Sequence, residues 1–235
     1  SNASLLAYSE DISDNEKNDI ANSFRYTDGE TREGHSMSLF LSSAVDSSWP
    51  QDSKAIAKGI DVSTHNEKID WRRVKQSGVD YAIIRCGYGT NETSQDDKRW
   101  EENVKGCVEN NIPYGVYLYS YADTVAKASS EADHAIRLLQ GKKLSYPVYY
   151  DLEEYAVRNK VSKTGIGDIA ETFCNKLSAK GYTVGIYASK DWFTNYLTDS
   201  RFSSWTKWVA QYNSTCTYTG TYDMCFRIHH YQRTA

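Results

Sequence analysis

From Lys58 onward, short apolar runs alternate with amphipathic stretches, and this alternation confines the chain to few folds. Ile60-Asp61-Val62 is the first strand candidate, and Tyr81-Ala82-Ile83-Ile84-Arg85-Cys86 is the second. Residues 69–76 predict a short helix between them. Asp97 is placed to cap a helix bearing Trp100, Val104, Cys107 and Val108 on one face. Further strands are expected at residues 114–119, 148–152, 183–187, 208–212 and 225–231. Helical stripes run through residues 125–139 and through Ile166, Ile169, Ala170, Phe173 and Leu177, the latter ending near Gly181. Strand–helix alternation of this kind builds a parallel sheet with crossover helices. Roughly six to eight such units in about 180 residues point to a barrel, with a doubly wound open sheet as the other geometry. No G-x-G-x-x-G follows any strand, which argues against a dinucleotide site.

The fourth strand ends in acid: Pro147-Val148-Tyr149-Tyr150-Asp151-Leu152-Glu153-Glu154. Side chains two apart on a strand share a face, so Asp151 and Glu153 are expected side by side. Neighbouring carboxyls do not ionise independently; one tends to keep its proton while the other stays charged. Glycosidic bond cleavage needs such a pair. In a parallel barrel, functional groups gather where the strands end. Asp61, at the end of the first strand, is therefore expected at the same mouth as Asp151 and Glu153. Glu154 points the other way and is read as a rim or structural charge. Asp70, Asp80, Asp96, Asp123 and Asp133 are read as solvated or capping groups.

Composition narrows the partners. The chain has 235 residues, 40% of them hydrophobic, which suffices for one substantial core. A net charge of −4 without a long basic run argues against nucleic acid. No apolar run approaches the ~18 residues of a membrane span. The first segment lacks the form of a secretory signal, and Ser1-Asn2-Ala3 looks like a tag remnant. Residues 1–56 are polar, rich in Ser, Asp, Asn and Glu, and read as an extension or linker with a short helix near residues 14–24. The domain proper is expected over residues 57–235. Nineteen tyrosines and six tryptophans are many for this length, and aromatic faces stack on sugar rings as readily as they fill cores. Cys86, Cys107 and Cys174 lie in apolar periodic segments and are expected to be buried thiols. Cys216 and Cys225 flank a turn; they form a hairpin disulfide if the chain is exported, and otherwise remain thiols. No spacing of Cys or His suggests a metal site, and no cofactor is expected.

Several motifs, in one order, resemble the family 25 glycoside hydrolases, the Chalaropsis-type lysozymes. They begin with Lys58-Gly59-Ile60-Asp61-Val62-Ser63-Thr64-His65-Asn66 and Ile69-Asp70-Trp71. Residues 81–89, Asp97-x-x-Trp100-x-x-Asn103 and Ile112-Pro113-Tyr114-Gly115-Val116-Tyr117 follow. Tyr149-Tyr150-Asp151-Leu152-Glu153, Gly181-Tyr182 with Gly185-Ile186-Tyr187, and Trp208-Val209-Ala210-Gln211-Tyr212 complete the likeness. The resemblance implies an irregular TIM-like (β/α) barrel with some helices missing or shortened. It implies hydrolysis of the β-1,4 bond between N-acetylmuramic acid and N-acetylglucosamine in peptidoglycan, with retention and with the substrate's own acetamido group as nucleophile. Glu153 matches the family's acid/base, Asp151 the acid beside it, and Asp61 the first-strand acid. The implied partner is the peptidoglycan glycan strand, met by a monomer outside the cell or at its surface. Tyr119, Tyr121, Tyr187, Tyr212, Arg85 and Gln211 lie at or near strand ends and are candidates to line the groove.

The tail departs from the family pattern. After Met224 the family usually continues Trp-Gln-Tyr and then supplies a further aspartate; here Cys225-Phe226-Arg227-Ile228-His229-His230-Tyr231-Gln232 follows, and no acid comes after Met224. Fewer anions in the cluster would let Glu153 hold its proton less well. A catalytically weakened wall-binding module is therefore the competing expectation. A chitin or N-glycan hydrolase is a third, since D-x-E acids serve there too.

Overall fold

The computed structural model describes residue 57, residues 59–211 and residues 216–227. The polar N-terminal segment with its expected helix, Tyr212, and the end of the last predicted strand lie outside these residues. Seven parallel strands form one sheet in chain order. They are β1 (Gly59–Val62), β2 (Tyr81–Tyr88), β3 (Tyr114–Tyr119), β4 (Val148–Asp151), β5 (Val184–Ser189), β6 (Thr206–Gln211) and β7 (Met224–Arg227). The crossovers carry α1 (Trp71–Gln76), α2 (Trp100–Glu109), α3 (Val125–Leu139), α4 (Tyr155–Lys160), α5 (Lys163–Ser178) and α6 (Lys190–Asn195). The crossover from β5 to β6 is short, made of α6 and a 3-10 turn at Ser200–Ser204.

The sheet curls into a half-barrel. β3 and β6 are separated by two strands, about 14 Å in a flat sheet. Yet the rings of Tyr117 on β3 and Trp208 on β6 lie 6.3 Å apart. Ile83, Tyr117, Tyr149, Tyr187, Trp208 and Ala210 fill this concave side as one buried cluster. The alternate residues, among them Ile60, Val62, Ile84, Val116, Tyr150, Ile186 and Val209, join the helices in the larger convex core. Tyr150 stacks flat on Phe173 of α5, with centroids 3.9 Å apart. Glycine makes the concave side possible: a Cβ at Gly185 would come within 2.6 Å of the Tyr149 ring.

Local signals explain most helix limits. Asp70 caps α1 by accepting the Arg73 N–H, so that helix starts at Trp71 and not at Ile69. Trp100, Val104 and Cys107 of α2 are buried as the periodicity predicts, but Val108 is 61% exposed. It sits one position past Cys107, about 100° further round the helix, and faces water. The α3 stripe holds, with Ala128, Ala132, Ala135 and Leu139 buried. Two six-residue helices, α4 and α6, add to the expected pattern. Cys216 and Cys225 are joined in a disulfide that ties the segment after β6 to β7. Cys86, Cys107 and Cys174 are buried thiols.

One acid lies inside the convex core. Glu131 of α3 is fully buried and accepts hydrogen bonds from Ser120 Oγ and the Tyr121 N–H, both at 2.8 Å, and from the Tyr150 hydroxyl. Burial raises its carboxyl more than these donors lower it, so that its pKa moves from 4.5 to about 7. An unfolded glutamic acid releases its proton near the lower value, so the folded state binds more protons between the two. Stability contributed by this group is therefore full below about 4.5 and falls until about 7, by something on the order of 3 kcal/mol. Urea unfolding of the wild type and Glu131→Gln across this window should show the wild type losing stability relative to the variant as pH rises. A difference independent of pH would contradict the assignment.

Candidate active site

β4 is the central strand, and its backbone is held from both sides. Ser120 N–H bonds to the Asp151 carbonyl at 3.1 Å, and Leu152 N–H to the Tyr187 carbonyl at 2.9 Å. Pro147 precedes a run of Val, Tyr and Tyr, residues that fit a strand buried on both faces. All of Val148, Tyr149, Tyr150 and Asp151 are buried. Tyr150 faces the helices, so Asp151 shares the concave side with Tyr149. Leu152 returns to the convex core, and Glu153, 8% exposed, lies beyond it at the strand's C-terminal end.

Tyr119 reports how the acids gather. It is the last residue of β3 and pairs in register with Asp151. Burial is the main reason its phenol is held far above its ordinary pKa. The charges of Glu154, Glu153 and Asp151 add to that effect. Three carboxyl groups thus act on one tyrosine hydroxyl, which donates to Glu154 Oε2 at 3.1 Å. Glu154 also caps α4 by accepting the Ala156 N–H at 3.0 Å. It is structural, as expected, but it turns toward the mouth and not away from it.

Asp61 lies on β1 between Ile60 and Val62, both of which belong to the convex core, so its side chain faces the concave side, half-buried. Its charge reaches Tyr81 of β2, where burial first, then Tyr146 and Asp61 raise the phenol's pKa.

The other candidates divide. Arg85 faces the concave side, and its Nε donates to Asp97 Oδ2 at 2.8 Å in a fully buried ion pair. Asp97 Oδ2 also accepts the Thr64 N–H, and Oδ1 the Arg99 N–H, each at 2.9 Å. The aspartate read as a helix cap therefore clamps the loop after β1 to β2. Tyr119 and Tyr187 are buried, the latter with its ring 4.6 Å from Trp208, so they form wall. Tyr121 keeps partial exposure beside Tyr119, at 4.8 Å between rings. Gln211 spends its amide on Thr217, donating from Nε2 at 2.6 Å and accepting the Thr217 N–H at 2.9 Å. Tyr212 is outside the described residues.

Asp96, read as solvated or capping, instead binds Arg137 through both oxygens, with His134 Nε2 at 2.7 Å from Oδ1. Asp70 is a cap, whereas Asp123 pairs with Lys127 and Asp133 with Lys176. Sequence reasoning also passes over Tyr155, half exposed directly after the acid run. The Arg158 guanidinium lies 4.2 Å from its ring and 4.4 Å from that of Tyr196. An aromatic residue following D-x-E-E is the available signal.

Asp97→Asn removes the carboxylate that Arg85 faces in a fully buried pair. It should cost about 3 kcal/mol in urea unfolding at neutral pH. A loss below about 1 kcal/mol, the range of a surface pair, would contradict the clamp.

The family model described as glycosyl hydrolases family 25 matches residues 60–235. The autolytic lysozyme of Clostridium acetobutylicum is 26% identical over 155 residues, 66% of this chain and 45% of that protein. The modular autolysin LytC of Streptococcus pneumoniae, solved with a synthetic peptidoglycan ligand, superposes with a TM-score of 0.61 at 32% identity. That match covers 68% of this chain and 38% of LytC. A family 25 glycosyl hydrolase from Bacillus anthracis shares the fold with a TM-score of 0.68 at 19% identity, over 85% of each chain. The chain spans less than half the length of the first two relatives. With this match over most of its described sheet, the chain belongs to glycosyl hydrolase family 25.

Proposed function

We propose that this chain is a muramidase that hydrolyses the β-1,4 bond between N-acetylmuramic acid and N-acetylglucosamine in peptidoglycan. The observation that carries the reading is the pair of acids Asp151 and Glu153 at the C-terminal end of the central strand of a family 25 sheet, beside Tyr119. The lysozyme and autolysin relatives support the substrate class. We read the half-barrel as part of the family's irregular (β/α) barrel, with Asp61 meeting Asp151 and Glu153 at its mouth.

The chemistry follows from the residue types. Glu153, protonated, gives its proton to the glycosidic oxygen as the C–O bond breaks. The 2-acetamido oxygen of the same sugar attacks the anomeric carbon and forms a cyclic intermediate with a positive charge. Asp151, buried and ionised, orients the acetamide and offsets that charge. Glu153, now a carboxylate, takes a proton from water, and the hydroxide opens the ring with overall retention. Asp61 holds the same polar network. Tyr121 and Tyr155 offer partly exposed rings for sugar faces, and Arg85 fixes the wall behind them. The site lies in a protein working outside the cell or on its surface, as a monomer. The disulfide fits an oxidising compartment. No helix among the described residues is long and apolar enough to cross a membrane.

Purified peptidoglycan should lose turbidity with the wild type, and Glu153→Gln should lower the rate by about a hundredfold or more. Mass spectrometry of the soluble products should find reducing muramic acid ends. Reducing glucosamine ends would contradict the bond assignment. Binding without clearing by both proteins would favour a wall-binding module instead.

A further inference from the structure

Glu131 has no part in the chemistry above, yet its partners are the backbone and side chains that carry the site. It sits on α3, on the convex side of the sheet, with no exposed surface. Its carboxyl receives Ser120 Oγ, the Tyr150 hydroxyl and the Tyr121 N–H, and the Ala122 N–H donates to Ser120 Oγ at 3.2 Å. Ser120 Oγ also lies 2.9 Å from the Tyr150 oxygen, and the Ser120 N–H bonds to the Asp151 carbonyl at 3.1 Å. Tyr150 directly precedes Asp151. Residues 120–122 directly follow Tyr119, whose hydroxyl binds Glu154 and lies in the field of Glu153 and Asp151. A single buried carboxyl therefore fixes the end of β3, the turn carrying Tyr121, and the β4 residue behind Asp151.

An apolar side chain would fill this position at lower cost, because burying a carboxyl is unfavourable even when it is hydrogen-bonded. What an apolar side chain cannot do is hold the Tyr121 N–H and two hydroxyls in one arrangement. Without it the two hydroxyls have only each other, and the Tyr121 N–H is left unsatisfied unless the turn shifts. A shift on the order of 1 Å at reacting groups is enough to lower a rate about a hundredfold.

We propose that Glu131 is a positioning residue for glycoside hydrolysis, holding Tyr119, Tyr121 and the Asp151 end of β4 in register from the far side of the sheet. This rests on the muramidase reading. It assigns to α3 a role in turnover that its place outside the groove conceals.

The test is steady-state turnover of a soluble muramyl oligosaccharide by wild type, Glu131→Gln, Tyr150→Phe and the double variant, with folded protein quantified by near-UV circular dichroism. Glu131→Gln should lower kcat about tenfold to a hundredfold, with KM changed by less than about threefold. Tyr150→Phe should lower kcat less. The double variant should be no slower than Glu131→Gln alone, because both act through one network. If Glu131→Gln does not fold, Ser120→Ala replaces it in the same cycle, with the same expected split. Full kcat per folded molecule in the variants of an active wild type overturns the positioning role alone. A folded wild type that turns over no muramyl substrate overturns the muramidase reading and this proposal together.

Discussion

Side chains on a strand alternate between two faces, and in this parallel sheet the two faces have been given different chemistry. The convex face is mainly aliphatic and takes the helices; the concave face is mainly aromatic and carries Asp61, Arg85 and Asp151. The separation depends on register. A slip of one residue in β4 would exchange Asp151 for Tyr150 and drive a carboxylate into the helix layer. The pairing of β4 with both β3 and β5 resists that slip. Sharp curvature then turns a row of strand ends into a hollow, with Tyr117, Tyr149, Tyr187 and Trp208 as its floor.

Charges are buried on both faces, and their surroundings explain why they are tolerated. Arg85 and Asp97 neutralise each other, and Asp97 uses its remaining capacity on backbone N–H groups. Glu131 is surrounded by donors and still has its pKa raised, because desolvation outweighs them. Glu154 is shared between a helix cap and Tyr119. These groups lie at the C-terminal side of the sheet, where the loops meet. Polar side chains in the interior fix backbone positions there that apolar packing would leave free to slide.

The sequence discloses what is local and periodic. Short apolar runs mark the seven strands, period-3.6 stripes mark the crossover helices α1, α2, α3 and α5, and the D-x-E spacing points to the acids. The sequence is silent where the fold depends on contacts between distant segments. Arg85 meets Asp97, Glu131 meets Tyr150, and Asp96 meets Arg137, all across loops or layers that no local window spans. The first two pairings lie in the interior, and the third is partly buried. The short helices α4 and α6 escape notice because six residues make under two turns and neither shows a stripe; their caps, Glu154 and Ser189, are the readable trace. Simple alternation misdirects Glu154, because the strand that sets it ends at Asp151.

The central claim is that the concave end of β4 receives the sugar. A crystal structure of Glu153→Gln with a bound oligosaccharide of alternating N-acetylglucosamine and N-acetylmuramic acid tests it most directly. Sugar rings lying across the ends of β1 and β4, with one acetamido group against Asp151, are the expected result. A ligand seated elsewhere on the sheet, or Asp61 facing a different cavity from Asp151, would contradict it.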